Sequence, residues 1–149
     1  MEIADELYRE VILDHYKAPR HHGKMEKPDV VEVGHNPLCG DELELYLEFN
    51  DGKISGISFS GKGCSISQAS ASLMTDAVFN RDLSEARKII SDFRGMMVEG
   101  KSADGLPEIL EESKALEGVK KYPVRIKCAM LSWNTLLEAL KKYEKRKAA

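Results

Sequence analysis

The chain has 149 residues, 42% hydrophobic and 32% charged, with a net charge of −3 and a pI near 5.8. That length suits one domain with one sizeable core, expected to span residues 1–149. The mild acidity supplies no basic field for nucleic acid or an anionic membrane, and no apolar run approaches the roughly 20 residues of a membrane span, so neither partner is expected. The opening residues Met1-Glu2-Ile3-Ala4-Asp5-Glu6 are acidic and lack the regions of a signal peptide, which makes a cytoplasmic location the expectation.

Residues 3–16 predict an amphipathic helix, with Ile3, Leu7, Val11 and Ile12 on one face. The run Lys17–Gly23 breaks it. Val30–Val33 reads as a short strand. Over Asp41–Phe49, Leu43, Leu45, Leu47 and Phe49 alternate with Glu42, Glu44, Tyr46 and Glu48, the pattern of a strand covered on one face. Asn50-Asp51-Gly52 is a hairpin turn, and the return strand is expected over Lys53–Ser60 with Ile57 and Phe59 inward. Helical spacing then runs through Ile66–Phe79 and Leu83–Val98, the latter capped by Asp82 or Ser84. Gly100–Gly105 reads as a loop. A helix is expected to open at Pro107 and stop at Gly118, and a last one to run from Val124 to Lys145. The order predicts an α+β domain: a small three-stranded antiparallel sheet with helices on one face.

Three cysteines carry the chemistry. Cys39 follows Pro37-Leu38, Cys64 follows Gly61-Lys62-Gly63, and Cys128 follows Pro123-Val124-Arg125-Ile126-Lys127. Each setting suggests a presented thiol. In a reducing compartment an odd set of thiols reads as metal-binding or reactive rather than disulfide-bonded. Cys39 and Cys64 bracket the predicted hairpin, so antiparallel pairing makes them neighbours. Asp41 joins them if the chain turns at Gly40, and Cys128 must come from the last helix. Cys64 and Cys128 are both expected near helix N-termini, where the dipole favours thiolate, with Lys62, Arg125 and Lys127 adding to it. Three thiolates and one carboxylate suffice for tetrahedral zinc or part of an iron–sulfur cluster. Spacing alone leaves a competing interpretation of three unconnected core cysteines.

Other residues read more plainly. His21 and His22 lie in a polar loop as solvated side chains, His15 is a helix-end or packing residue, and His35 is a weak backup ligand four residues before Cys39. The Ser/Ala run Ser67–Ser72 suits close helix packing. Gly61-Lys62-Gly63 lacks the rest of a phosphate loop. The basic C-terminal run is a solvated helix end, and Trp133 is a core residue.

Asp14-His15-Tyr16-Lys17-Ala18-Pro19-Arg20, Asn36-Pro37-Leu38-Cys39-Gly40-Asp41, Gly61–Ser72 and Pro123–Leu131 together resemble the iron–sulfur cluster assembly proteins of the IscU, SufU and NifU N-terminal type. The resemblance covers nearly the whole chain. It implies that Cys39, Asp41, Cys64 and Cys128 bind zinc, or alternatively iron or a nascent [2Fe–2S] cluster. It also implies a pyridoxal-phosphate cysteine desulfurase of the SufS/IscS kind as sulfur donor, and cluster-assembly or apo iron–sulfur proteins as recipients. Lys127, where the IscU branch usually has histidine, and the segment 95–118, similar to an inserted stretch, place the resemblance nearest the SufU-like branch. Tyr122-Pro123-Val124-Arg125 departs from the Leu-Pro-Pro-Val-Lys tag of IscU proteins, which leaves chaperone assistance open. The SufU-like branch implies a sulfurtransferase-like relay. There a partner residue takes over a zinc ligand position, and the freed Cys39 thiolate accepts persulfide sulfur while Asp41 tunes which ligand is labile. A non-enzymatic scaffold for a [2Fe–2S] cluster, or zinc that merely closes the fold, are the alternatives.

Overall fold

The computed structural model describes residues 3–148, with side chains from residue 8 onward. Helix α1 covers Ile3–Lys17, and the strands are β1 (Val30–Asn36), β2 (Asp41–Asn50) and β3 (Lys53–Lys62). Helices α2 (Ser65–Val78), α3 (Leu83–Val98) and α4 (Pro123–Ala148) follow. The sheet order is β1-β2-β3, antiparallel throughout. The α+β architecture expected from the sequence is correct. Of the apolar face expected on α1, Val11 and Ile12 pack against the core, while the side chains of Ile3 and Leu7 lie outside the described residues.

In β2 Leu43, Leu45 and Leu47 are buried and Glu42, Glu44 and Glu48 exposed, but Tyr46, expected on the polar face, is buried with its hydroxyl on Glu44 and Ser60. Ile57 and Phe59 join them from β3. A register shift at Glu48/Phe49 turns Phe49 partly out of the core, where it stacks on Tyr143 of α4 with ring centroids 3.8 Å apart. β1 runs three residues beyond Val33, because Gly34, His35 and Asn36 pair with Leu43, Glu42 and Asp41. Neither Gly nor Asn signals a strand by propensity; the β2 ladder recruits them.

Helix α2 occupies the middle of the molecule, between α1 and α4. Its small residues Ala69, Ser70, Ala71 and Ser72 are all buried, which lets neighbouring helices approach closely. Ser70 Oγ donates to the Ala129 carbonyl at 2.6 Å and accepts from Trp133 Nε1 at 2.9 Å. Trp133 is fully buried and stacks on Phe93 with centroids 4.0 Å apart. Replacing Ser70 by alanine orphans the indole N–H inside the core. The Ser70→Ala variant should lose about 1–3 kcal/mol of unfolding free energy, read from the denaturant midpoint of the metal-free protein.

The helix expected from Pro107 to Gly118 is a correction. The described chain has short 3₁₀ turns at Ala103–Gly105 and Glu108–Leu110 and a 3₁₀ helix at Glu112–Lys121, which passes through Gly118. Buried Ser113, Leu116 and Val119 recur every three residues, the spacing of the tighter helix, with Ala115 buried beside them. This helix packs on α1 and α4. It is tied down by His15, which is buried and lies 2.7 Å from both Ser72 Oγ and Glu112 Oε2. No described helix is long and apolar enough to cross a membrane.

Candidate metal and sulfur centre

The centre is built at one end of the sheet. Cys39 lies in the four-residue turn between β1 and β2, and Asp41 opens β2. Gly40 has φ 68°, a left-handed conformation that glycine adopts without strain, so the turn folds Cys39 back toward Asp41. At the far end of β3, Gly63 brings the chain against the same carboxyl group. A Cβ there would sit 2.5 Å from Asp41 Oδ1, so a larger residue would push the Cys64 segment away. The sharing of one site through a turn at Gly40, expected from the sequence, is what the backbone does.

Cys39, Asp41 and Cys128 offer ligand atoms all within 4.8 Å of one another. Cys39 Sγ and Cys128 Sγ are 2.9 Å apart, and all three cysteines are free. Asp41 is fully buried; its Oδ1 accepts the Cys64 N–H at 3.0 Å, while Oδ2 is buried with no hydrogen-bond partner. A buried carboxyl oxygen left unpaired beside two thiols is costly unless a cation claims it. The donors, soft sulfur plus one oxygen, fit zinc or iron.

Cys64 stands just outside this trio. It is the N-cap of α2, and its Sγ accepts the Ser67 N–H at 3.4 Å. The helix-terminus environment expected for it is present. Cys128 differs from expectation. It is the sixth residue of α4, past the free N–H groups of the first turn, and it is fully buried rather than presented. Burial, then contacts with Cys39 and Asp41, then the neighbouring Cys64, all push its thiol pKa strongly upward. A metal must displace that proton, so binding at Cys128 releases one.

The histidines stay out of the centre. His35 is exposed and pairs across the ladder with Glu42. His22 is exposed and His21 half-buried, and neither joins the candidate metal group, as expected. Phe59 N–H donates to the His21 carbonyl and Gly23 N–H to the Phe59 carbonyl, docking the loop along β3. Lys62, Arg125 and Lys127 are exposed. One polar neighbour was not apparent from the sequence: Asn36, 6% exposed, whose Nδ2 lies 3.7 Å from Cys128 Sγ. Its only sequence signal was a place beside Pro37 in the first cysteine motif.

Two thiols and an orphaned carboxyl oxygen, with a third thiol adjoining, form a group that could hold a soft metal at the end of a small antiparallel sheet. The chain belongs to the family of the NifU-like N-terminal domain, whose model matches residues 7–125. It is 44% identical over 136 residues to the iron–sulfur cluster assembly scaffold protein IscU of Streptococcus pyogenes serotype M1, covering 91% of this chain and 84% of that one. It is also 44% identical over 140 residues to the zinc-dependent sulfurtransferase SufU of Bacillus subtilis, covering 94% and 93%. A solved structure described as an assembly scaffold of the SUF system, from Fervidobacterium islandicum, superposes with a TM-score of 0.79 at 37% identity over 92% of this chain and 98% of that one. The resemblance carried by the motifs is therefore correct.

Proposed function

We propose that this protein is a sulfur acceptor in iron–sulfur cluster assembly, with zinc held by Cys39, Asp41, Cys64 and Cys128. The observation that carries the reading is the meeting of Cys39, Asp41 and Cys128 within 4.8 Å around an unpaired carboxyl oxygen. Cys64, whose Sγ accepts the Ser67 N–H, would supply the fourth donor. Zinc supplies one thing, the stabilisation of thiolates at neutral pH. The donor is a pyridoxal-phosphate cysteine desulfurase carrying a persulfide, and the recipients are cluster-assembly or apo iron–sulfur proteins. Relatedness to a protein named as a zinc-dependent sulfurtransferase supports this choice, as does reading residues 95–118 as a SufU-like inserted segment of a single domain.

The chain's own residues divide the work. Cys39, half-buried on a turn, is the nucleophile. Its thiolate attacks the outer sulfur of the donor persulfide. A new S–S bond forms on Cys39, the donor's S–S bond breaks, and the donor cysteine leaves as thiolate. Cys128, buried on a long helix, holds its place while the turn moves. Asp41, the one oxygen donor, is the harder and more exchangeable ligand.

A second reading, a scaffold for a [2Fe–2S] cluster on the same residues, is favoured by the relative named as an assembly scaffold. Metal analysis and visible absorbance of anaerobically purified protein separate the two. Zinc near one equivalent with no colour is the expected result. Iron and sulfide with visible absorbance would put the scaffold reading in its place.

A further inference from the structure

Asn36 lies against three of the four proposed donors, Asp41, Cys39 and Cys128. It closes β1 opposite Asp41 in the ladder. Its carbonyl accepts the Cys39 N–H at 3.3 Å, and its side-chain Nδ2 donates toward Cys128 Sγ at 3.7 Å. One nearly buried residue thus anchors the turn that carries the half-exposed thiol and, at its other end, contacts the buried one.

Besides Cys39 and Asp41, Cys128 Sγ meets two groups of opposite chemistry. The Val124 carbonyl, 3.7 Å away, accepts and so suits only a thiol that carries its proton. The Asn36 amide donates and so suits a sulfur that has lost it. A donor to a metal-bound sulfur also draws charge from it and lowers its readiness to attack. No such side-chain donor reaches Cys39 among the described residues apart from Cys128 itself.

We infer that Asn36 is a positioning residue that holds Cys128 as the fixed, less nucleophilic thiolate and leaves Cys39 as the more reactive of the two. The inference rests on the metal reading above and deepens it. An aspartate at this position would face the sulfur with an acceptor, and a leucine would fill the space with no donor at all.

Cobalt(II)-loaded protein tests it, because the thiolate-to-cobalt charge-transfer band reports the electron richness of the bound sulfur. The variants are Asn36→Leu and Asn36→Asp. Both should move the band to longer wavelength, with the ligand-field intensity of a four-coordinate ion retained, and both should weaken zinc binding by about 10–100-fold in chelator competition. If the parent protein itself shows no thiolate-to-cobalt band, the metal reading fails. If the parent shows the band and it stays unmoved in a variant with parental circular dichroism, Asn36 merely builds the turn and the inference is overturned. Should Asn36→Leu not fold, Asn36→Asp keeps the side-chain shape and the same band shift decides the question.

Discussion

Cys39→Ser is expected to abolish sulfur acceptance while leaving the protein folded. The substitution nearly keeps the size of a half-buried turn side chain, whose sulfur meets the buried Cys128 Sγ at 2.9 Å. It replaces a sulfur nucleophile by a hydroxyl, which does not exchange with a persulfide, so no persulfide bond forms at this position. Cys64 and Cys128 are poor substitutes. One caps α2 through its sulfur, and the other is fully buried with its thiol pKa pushed upward. The measurement is stimulation of a cognate desulfurase, with peptide mass mapping for a gain of one sulfur atom. Full stimulation by the variant, with sulfur mapped to Cys64 or Cys128, would transfer the acceptor role away from Cys39. Weakened but surviving zinc binding is expected alongside, since three donors remain.

The second large effect is a reversal of sign at Asp41. In the metal-free protein its buried Oδ2 has no partner, a situation that costs about 1–3 kcal/mol. Asparagine keeps the shape and can still accept the Cys64 N–H, while its amide can donate to the nearby sulfurs. Asp41→Asn should therefore stabilise the metal-free fold by a comparable amount. With zinc the order inverts, because the anionic ligand is gone. A loss of affinity of at least about a hundredfold removes roughly 2.7 kcal/mol of metal-linked stability at fixed free zinc. Unfolding of both proteins with and without zinc gives the four values needed. If Asp41→Asn lowers stability equally in both states, the carboxyl group serves as a plain structural hydrogen-bond acceptor and the metal assignment loses its main support.

Much of this molecule follows from local pattern. Strict alternation in β2 can satisfy only one sheet face, so the strand and its buried leucines are legible in the residues alone. The Asn50-Asp51-Gly52 turn returns β3 to its side, which brings the Cys64 backbone onto Asp41. Asp82 announces the start of α3, where its carboxylate accepts the Glu85 N–H. The three cysteine motifs, each with its flanking residues, identify the family.

The remaining features are set by contacts distant in sequence. Glu112–Lys121 carries ordinary helical residues, yet packing against α1 and α4 selects the three-residue period. His15 looks like a helix end, and only the fold sets Glu112 and Ser72 on its two nitrogens, 97 and 57 residues away. Cys128 follows lysine and reads as exposed. Its burial is set by where α4 crosses the sheet, which no nearby residue encodes. Asn36 stands in the sequence only as part of the first cysteine motif, and its amide meets Cys128 across 92 positions. Periodicity and turn chemistry over a few residues are enough for the strands, most helices and the residue types that assemble at the sheet end. The tertiary structure alone decided which thiol is half-exposed, which is buried and which carboxyl oxygen is left unpaired, because exposure and pairing are properties of packed elements.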